Sequence, residues 1–377
     1  MVFSARNFSL TLGLAALMAL PATAQDITFG GDARAFAMGG AGIASLAGNS
    51  ISGMGSRNNP ASLAFAKGLM RFHFPNIGAR ADGAISVTKA ADYLISSGSG
   101  GDATDLARRF ASEDSGFGLN GSVGLRVGPV EVMASGVAQG YILPNAALQN
   151  WGKSGGTGSV PANSQADVLA TAVYSLPQVG FASQLKSGAG GENFKVAVGA
   201  RIKYMNAVYA HYFADKAALD GNTDSLRAPE MGGKDTLTKQ GVGADLGIML
   251  ESKKLLGFSG GLVIANAVKP NFTFTGQFGA NANGGGGTRT YNLLATTATA
   301  GVGFQKGGMT AVADLVDITG AIGKAELRTG VEQKLGPIAL RAGYNSATGY
   351  TYGLGLGGFD IALGKRQPLE VVRTLRF

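Results

Sequence analysis

Apolar and polar residues alternate with a period of two along most of the chain. Between positions 241 and 251, apolar residues occupy every even position, whereas glycine and acidic residues occupy most of the odd ones. Residues 195–208 and 325–335 repeat the pattern, with lysine, arginine and glutamate on the polar face. Such strands fit a barrel whose outer face contacts lipid and whose inner face is wet. A water-soluble β-sandwich alternates in the same way, so the pattern by itself leaves both folds open.

The lengths of the connections favour the barrel. Tight turns such as 128–129, 335–337 and 357–358 alternate along the chain with long segments. The long segments are 81–114, 143–166, 210–237 and 276–288. Short turns on one rim and long loops on the other are typical of outer-membrane barrels. We therefore predict an all-β fold, a transmembrane antiparallel β-barrel of about 14 strands, although about twelve strands would fit the same rhythm.

The predicted strands and loop elements can be placed along the sequence. The strands are expected near 69–80, 115–127, 130–142, 167–185, 193–209, 238–251, 257–275, 289–305, 309–319, 324–335, 338–346, 350–356, 359–364 and 369–377. Between the first two, residues 88–95 and 103–111 look helical, with arginines at the end of the second segment. The Asn/Gly-rich stretch 280–287 is expected to be a flexible loop tip.

The N-terminus reads as a cleavable signal peptide. Arg6 is the only charged residue before Asp26, and an apolar run follows from Leu10 to Leu20. Small residues at 22–24 then precede the expected cleavage before Gln25. We divide the chain into a signal peptide (1–24), an N-terminal hatch or plug (25–66) and an outer-membrane barrel (67–377).

Composition supports export and a barrel. The 61 glycines and the 15% of charged residues depart in opposite directions from an ordinary soluble domain, which has about 25% charged residues. Beyond position 25, no apolar run reaches the roughly 18 residues that a membrane helix needs. The absence of cysteine excludes a lipid-anchored N-terminus and a disulfide scaffold. The net charge of +8 comes from scattered lysines and arginines, which argues against a nucleic acid partner.

The segment 25–66 does not alternate, and its small and apolar residues suit packing inside a narrow lumen. It contains an Ala-Arg-x-x-x-Met-Gly-Gly-Ala-Gly run at 33–42 and Asn-Pro-Ala-Ser-Leu at 59–63. These motifs resemble the start of FadL-like outer-membrane proteins. That group includes long-chain fatty acid transporters, PorV-type secretion barrels and a TraF-like conjugal-transfer set. The arrangement of motifs in this chain looks nearest to the TraF-like set.

The end of the chain resembles the same group. The similar stretches are Leu-Arg-Ala-Gly-Tyr at 340–344, Tyr-Gly-Leu-Gly-Leu at 352–356, Phe-Asp-Ile-Ala at 359–362 and the closing strand. Phe377 is the terminal residue, and apolar residues alternate back from it, which resembles the signal by which outer-membrane barrels address their assembly machinery. The resemblance implies a fourteen-stranded barrel with an N-terminal hatch inside it. Both ends together cover about a quarter of the chain.

Two sets of residues are candidates for function. The resemblance makes the hatch the element that binds ligand or gates the barrel, through Met38, Gly39, Gly40, Asn59, Pro60 and Ala61. Strand alternation turns a mixed set of charges toward the lumen, namely Arg126, Lys195, Arg201, Lys203, Asp245, Glu326, Arg328, Glu332 and Arg341. These charges would either pair with each other and with the hatch, the reading we favour, or form a polar path for a solute.

Catalysis and metal binding are not indicated. The spacing Gly353-x-Gly355-x-x-Gly358 matches a dinucleotide fingerprint, but it follows a strand with no helix to present to a phosphate. The two histidines, His73 and His211, lie in distant segments without metal-ligand spacing. His211 and Asp215 could pair, yet no nucleophile accompanies them. We expect no enzyme activity, no cofactor and no metal.

Two functions fit these observations. The first is passive uptake of small hydrophobic molecules through an outer-membrane barrel gated by its hatch. The second is a non-transporting component whose long loops dock a secretion or conjugal-transfer system. Both place the chain in the outer membrane of a Gram-negative bacterium, in contact with its lipids and dependent on the barrel assembly machinery.

Overall fold

The computed structural model is a closed β-barrel. Two N-terminal segments pack inside its wall, and short helices pack on the outside. It describes residues 33–45, 59–66, 68–82, 103–185, 193–221, 228–252, 254–255, 257–279, 287–321, 324–347, 349–357, 359–364 and 369–374. The predicted signal peptide, the helix expected at 88–95, most of the loop tip 280–287 and Phe377 lie outside these residues.

Sixteen strands follow one another along the described chain. They are Met70–Asp82 (β1), Ser115–Val127 (β2), Val130–Pro144 (β3), Ala166–Gln184 (β4), Phe194–Ala214 (β5), Leu237–Ser252 (β6), Phe258–Val268 (β7), Thr273–Phe278 (β8), Gly287–Asn292 (β9), Thr297–Lys306 (β10), Met309–Val316 (β11), Glu326–Leu335 (β12), Ile338–Asn345 (β13), Gly349–Leu356 (β14), Phe359–Gly364 (β15) and Leu369–Thr374 (β16).

Fourteen of these strands, β1–β7 and β10–β16, form the barrel wall, and β1 pairs with β16 to close it. Every neighbouring pair is antiparallel, as hairpin connections between sequential strands require. The predicted fourteen-stranded antiparallel barrel is therefore confirmed. Short turns such as 128–129, 307–308 and 336–337 lie on one rim, and the long connections lie on the other.

The remaining two strands correct the sequence-based assignment. The predicted strands 257–275 and 289–305 each run through a wall strand and one arm of a separate hairpin, β8–β9. The connection between β7 and β10 therefore contains a two-stranded sheet of its own rather than a simple loop at 276–288. Alternation continues through both arms because a hairpin arm and a wall strand share the same two-residue period.

In addition to the strands, the described residues form four short α-helices. They are Ala33–Ala37 (α1), Ala103–Arg109 (α2), Ala146–Lys153 (α3) and Lys216–Leu219 (α4). The helix predicted at 103–111 corresponds to α2, and the other three were not predicted. Asn145 and Asp215 start α3 and α4 by accepting backbone N–H hydrogen bonds on their side chains. No helix in the described part of the chain is long and apolar enough to cross a membrane.

The outward face of the wall carries an apolar band between two girdles of aromatic side chains. Exposed tyrosines on the long-loop side include Tyr174, Tyr204, Tyr350 and Tyr352, and exposed phenylalanines on the short-turn side include Phe72, Phe181, Phe194, Phe258 and Phe359. On β5 the band runs over ten residue steps, from Phe194 to Tyr204. Ten steps span roughly 33 Å of strand and, at a tilt of roughly 40°, a height of roughly 25 Å. That height matches the apolar band of a transmembrane barrel.

Strands β3–β5 continue past the band on the long-loop side. There the outward face is covered by α2, α3 and α4, which bury a cluster around Trp151, Leu148 and Phe110. Arg108 of α2 lies over the Trp151 ring and donates hydrogen bonds to the carbonyls of Leu219 and Gly158. The described parts of the three connections that supply these helices therefore form a packed head on the wall.

Candidate functional site in the barrel lumen

The segment 33–45 lies inside the barrel along the strands from β10 to β15. Arg34 of α1 is buried and donates two hydrogen bonds, each 2.8 Å, to the two carboxylate oxygens of Glu332 on β12. Glu332 also accepts a hydrogen bond of 2.7 Å from Arg341, which in turn donates one of 2.6 Å to Asp360. Two arginines and two carboxylates thus compensate one another in a buried network between the segment and the wall.

A second attachment lies at the end of this segment. The buried Asp314 of β11 accepts hydrogen bonds from the backbone N–H groups of Gly42 and Ile43, at 2.6 and 3.1 Å. The carboxylate satisfies two backbone donors that have no helix or strand partner. It therefore fixes the backbone of the segment against the wall.

Inward-facing glycines of the wall receive the segment. A side chain on Gly330 or Gly343 would overlap the backbone of Met38, and one on Gly343 would also overlap Gly39. The approach is backbone against backbone, which only glycine allows. Met38 is fully buried at this seat. Gly40 lies beside the Arg328 side chain, with its N–H hydrogen-bonded to the carbonyl of Ala35.

The segment 59–66 lies against the opposite part of the wall, on β4, β5 and β6. Asn59 begins the 3₁₀ turn Pro60–Phe65 by accepting a hydrogen bond from Ala61 N–H, and its amide donates one of 3.0 Å to the carbonyl of Ile248. Pro60 and Ala61 pack on Gly199 of β5, where a Cβ atom would lie 2.5 Å from the Ala61 nitrogen. All six predicted hatch residues therefore contact or lie beside the wall inside the lumen.

The predicted lumen charges fall into separate groups. Arg201, Lys203 and Asp245 form a buried layer between β5 and β6, with Lys203 Nζ 2.6 Å and Arg201 Nη1 3.5 Å from Asp245 oxygens. Lys203 also donates to Asn266 Oδ1 at 2.7 Å, and the Asn266 N–H donates to Asp245. Asn266 has a positive φ of 51°, which breaks the register of β7 and turns its side chain toward this layer.

The other predicted charges lie nearer the rims. Arg126 is buried and donates hydrogen bonds to two carbonyls, that of Gly68 just before β1 and that of Gly128 in the β2–β3 turn. Lys195 forms an exposed pair of 2.9 Å with Glu251 at the short-turn rim. Glu326 and Arg328 pair along β12, whereas Glu332 and Arg341 belong to the Arg34 network. The charges are thus engaged with one another and with the N-terminal segments.

Above the charged layer, toward the long-loop rim, much of the inner face formed by β3, β4 and β5 is apolar. The residues of this lumenal apolar cluster are Tyr141, Leu169, Val173, Met205, Ala207, Tyr209, Ala228, Met231, Phe272, Phe274, Phe278, Leu293 and Leu294. The β8–β9 hairpin folds inward over it, so that Phe274 stacks on Tyr209 with ring centroids 5.0 Å apart. Sequence reasoning missed the cluster because its members come from four strands and three connecting segments.

A buried polar group adjoins this cluster. His211 of β5 lies between two carboxylates, with Nε2 2.9 Å from Asp167 Oδ1 and Nδ1 hydrogen-bonded to Glu230. Burial alone would raise the pKa of the Glu230 carboxyl, but hydrogen bonds from His211 and from backbone N–H groups hold the pKa below its usual range. Asp215, the partner considered from the sequence, instead caps α4.

Within the ranges that the structure describes, no group of three or more histidine, aspartate or glutamate side chains is arranged to hold a metal ion. The Asp167–His211–Glu230 group places its two carboxylates on opposite ring nitrogens rather than around a common centre.

Comparison with known proteins relates the fold to two channels. No protein-family model matches the sequence, and no curated protein matches it significantly. The structure of the Ralstonia pickettii toluene transporter TbuX is 12% identical with a TM-score of 0.50, covering 93% of this chain and 100% of that one. The TodX monoaromatic hydrocarbon channel, in its deltaS2 mutant form, gives the same values. At this identity the likeness concerns the fold alone: this chain has the barrel fold of those channels.

Proposed function

We propose that this protein is an outer-membrane channel for passive uptake of small hydrophobic molecules. The observation that carries the proposal is the lumenal apolar cluster, because the inner face of an ordinary aqueous porin is polar. Its aromatic and methionine side chains offer a surface that adapts to varied apolar shapes. The fold shared with TbuX and TodX supports the same class of solute.

The N-terminal segments form the gate in this proposal. Residues 59–66 lie on the short-turn side of the charged layer, between the apolar cluster and the short-turn rim. A hydrophobic solute that moves from the cluster along β4–β6 toward the short-turn rim meets this segment. Ligand binding shifts such a gate only by its different affinity for the two arrangements, so no energy source is required.

Membership of the FadL-like group is part of the proposal. The motifs at 33–42 and 59–63 lie in the segments that contact the wall, and the fourteen-stranded barrel agrees with the resemblance. The signal peptide at 1–24, the hatch as a unit over 25–66, recognition of Phe377 by the assembly machinery and the TraF-like branch stay predictions.

Uptake of labelled hydrophobic compounds tests the proposal. A deletion strain is compared with strains carrying the parent gene, Asn59→Ala or Lys195→Ala. Asn59→Ala removes the hydrogen bonds to Ala61 and Ile248, whereas Lys195→Ala removes only an exposed ion pair at the rim. We expect uptake to require the gene, to change with Asn59→Ala and to be unaltered by Lys195→Ala. Equal uptake by all four strains across aromatic and aliphatic compounds would refute transport.

Docking to a secretion or conjugation assembly is the second candidate. The packed head formed by α2, α3 and α4 favours it, because an ordered surface outside the membrane suits a protein partner. Deleting residues 146–153 should then abolish crosslinking to that partner while Asn59→Ala has little effect. Crosslinking that is unaltered by the deletion, together with uptake that changes in Asn59→Ala, would favour transport.

A further inference from the structure

The β8–β9 hairpin covers the lumenal apolar cluster like a lid. The lid is defined here by its described residues, 273–279 and 287–292. Its inner face packs Phe274 and Phe278 against the wall, and its outer face exposes a ladder of polar side chains that includes Thr275 and Thr290. A solute entering from the long-loop side would reach the cluster by displacing this lid.

The end of the β8 arm is attached to the wall through one group of side chains. Gly279 N–H donates to Asp167 of β4 at 3.1 Å, and Gln277 N–H donates to Glu230 at 3.3 Å. The ring of His211 stacks on Phe278 with centroids 4.2 Å apart. Each of these lid residues thus contacts a member of the Asp167–His211–Glu230 group, which also joins β4, β5 and the 3₁₀ turn Pro229–Met231.

The hydrogen bonds of this group depend on how many of the His211 ring nitrogens carry a proton. Both ring nitrogens of the fully buried His211 face carboxylate oxygens. A neutral imidazole has a single N–H, and only the imidazolium donates from both nitrogens. The arrangement therefore fits a cation between two anions, and loss of one proton would set a nitrogen lone pair against a carboxylate.

Further polar side chains of the described residues lie near the ring. Tyr209 of β5 lies edge-on to His211, and its hydroxyl is 3.3 Å from Glu230. From the lid, Arg289 lies over the Phe278 ring, and Tyr291 packs at an angle to it. Neither tyrosine supplies a positive charge, and the Arg289 guanidinium is on the Phe278 ring rather than on the imidazole.

We propose that Asp167, His211 and Glu230 form a latch that holds the lid over the lumenal apolar cluster. The latch is closed while both ring nitrogens of His211 are hydrogen-bonded to the two carboxylates. Loss of either hydrogen bond would free the end of the β8 arm, and the lid would open. The proposal rests on the proposed function only in taking the cluster as the ligand site.

Thiol labelling tests the latch directly, because the chain contains no cysteine. Ala207→Cys places a single thiol in the apolar cluster, where Ala207 is fully buried. Thr275→Cys places one on the exposed face of the lid and corrects for the intrinsic reactivity of the reagent. The folded barrel in vesicles is labelled with a small maleimide, and the ratio of the Ala207→Cys rate to the Thr275→Cys rate is the readout. We expect this ratio to be roughly tenfold higher once one hydrogen bond of the latch is removed.

Two further variants, each combined separately with Ala207→Cys and with Thr275→Cys, separate the latch from a general loss of stability. His211→Gln presents an amide oxygen, which only accepts hydrogen bonds, to one of the two carboxylates, so the ratio should rise. Glu230→Gln can donate to a neutral ring nitrogen while the other keeps its N–H for Asp167, so the ratio should stay low. A ratio that does not rise in His211→Gln, or that rises equally in Glu230→Gln, would overturn the latch. Since no transport is measured, failure of the latch and failure of uptake are distinguishable.

Discussion

Replacing Arg34 by alanine should loosen the N-terminal segment from the barrel. The change removes two hydrogen bonds of 2.8 Å to Glu332, from a pair whose side chains are 1% and 0% exposed. Breaking a buried ion pair usually costs about 3–5 kcal/mol, because one charge is left buried. Glu332 keeps Arg341 at 2.7 Å, so we expect the lower end, about 3 kcal/mol.

The matched control is Lys195→Ala, which breaks an ion pair that is largely exposed. Lys195 and Glu251 are 49% and 29% exposed, so the loss should stay below about 1 kcal/mol. Free energies of unfolding in denaturant are measured for the parent and both variants in lipid vesicles. If Arg34→Ala and Lys195→Ala differ by less than about 1 kcal/mol, the buried pair does not hold the segment as argued.

Three further changes test the packing of the N-terminal segment on Gly343, its hydrogen bonds to Asp314 and the lipid-facing band. Gly343→Ala should displace residues 33–45, detected as faster proteolysis of that segment, whereas Gly260→Ala, where a Cβ would meet nothing closer than 3.8 Å, should leave it protected. Asp314→Asn replaces the charged oxygen that accepts from both backbone N–H groups by a neutral amide oxygen and should cost about 1–2 kcal/mol in unfolding experiments; an unchanged midpoint would contradict the anchor. Val198 lies on β5 between the two aromatic girdles, so Val198→Arg should lower the free energy of unfolding by about 2–4 kcal/mol. An effect no larger than that of Val198→Leu would argue against a membrane position.

Much of the wall could be read from the sequence because alternation is local. Successive strand residues point to opposite faces whatever the neighbouring strands are, so Arg201, Lys203 and Asp245 could be turned inward without knowing their partners. Short turns and long loops are also local, and they gave the strand count. The β8–β9 hairpin escaped because nothing in the period of its arms distinguishes them from wall strands.

The candidate site was predicted less completely. Met38 and Asn59 were singled out by a resemblance, yet their seats on Gly343 and Gly247 depend on wall strands that lie far along the chain. The excess of glycine was plain from composition, but not its role as the inner surface on which the segments lie. His211 was paired with Asp215 because they are close in sequence, whereas the fold supplies Asp167 and Glu230.

The amino-acid order alone thus set the strand period, the two faces of each strand and the alternation of turns with loops, because backbone geometry and local hydrogen bonding decide these within a few residues. Only the closed barrel decided which charges meet, which glycines form seats and which aromatic rings gather in the lumen. Arg34 and Glu332 are 298 positions apart, and closing the wall is what brings them together. Contacts over such separations depend on the register of every intervening strand.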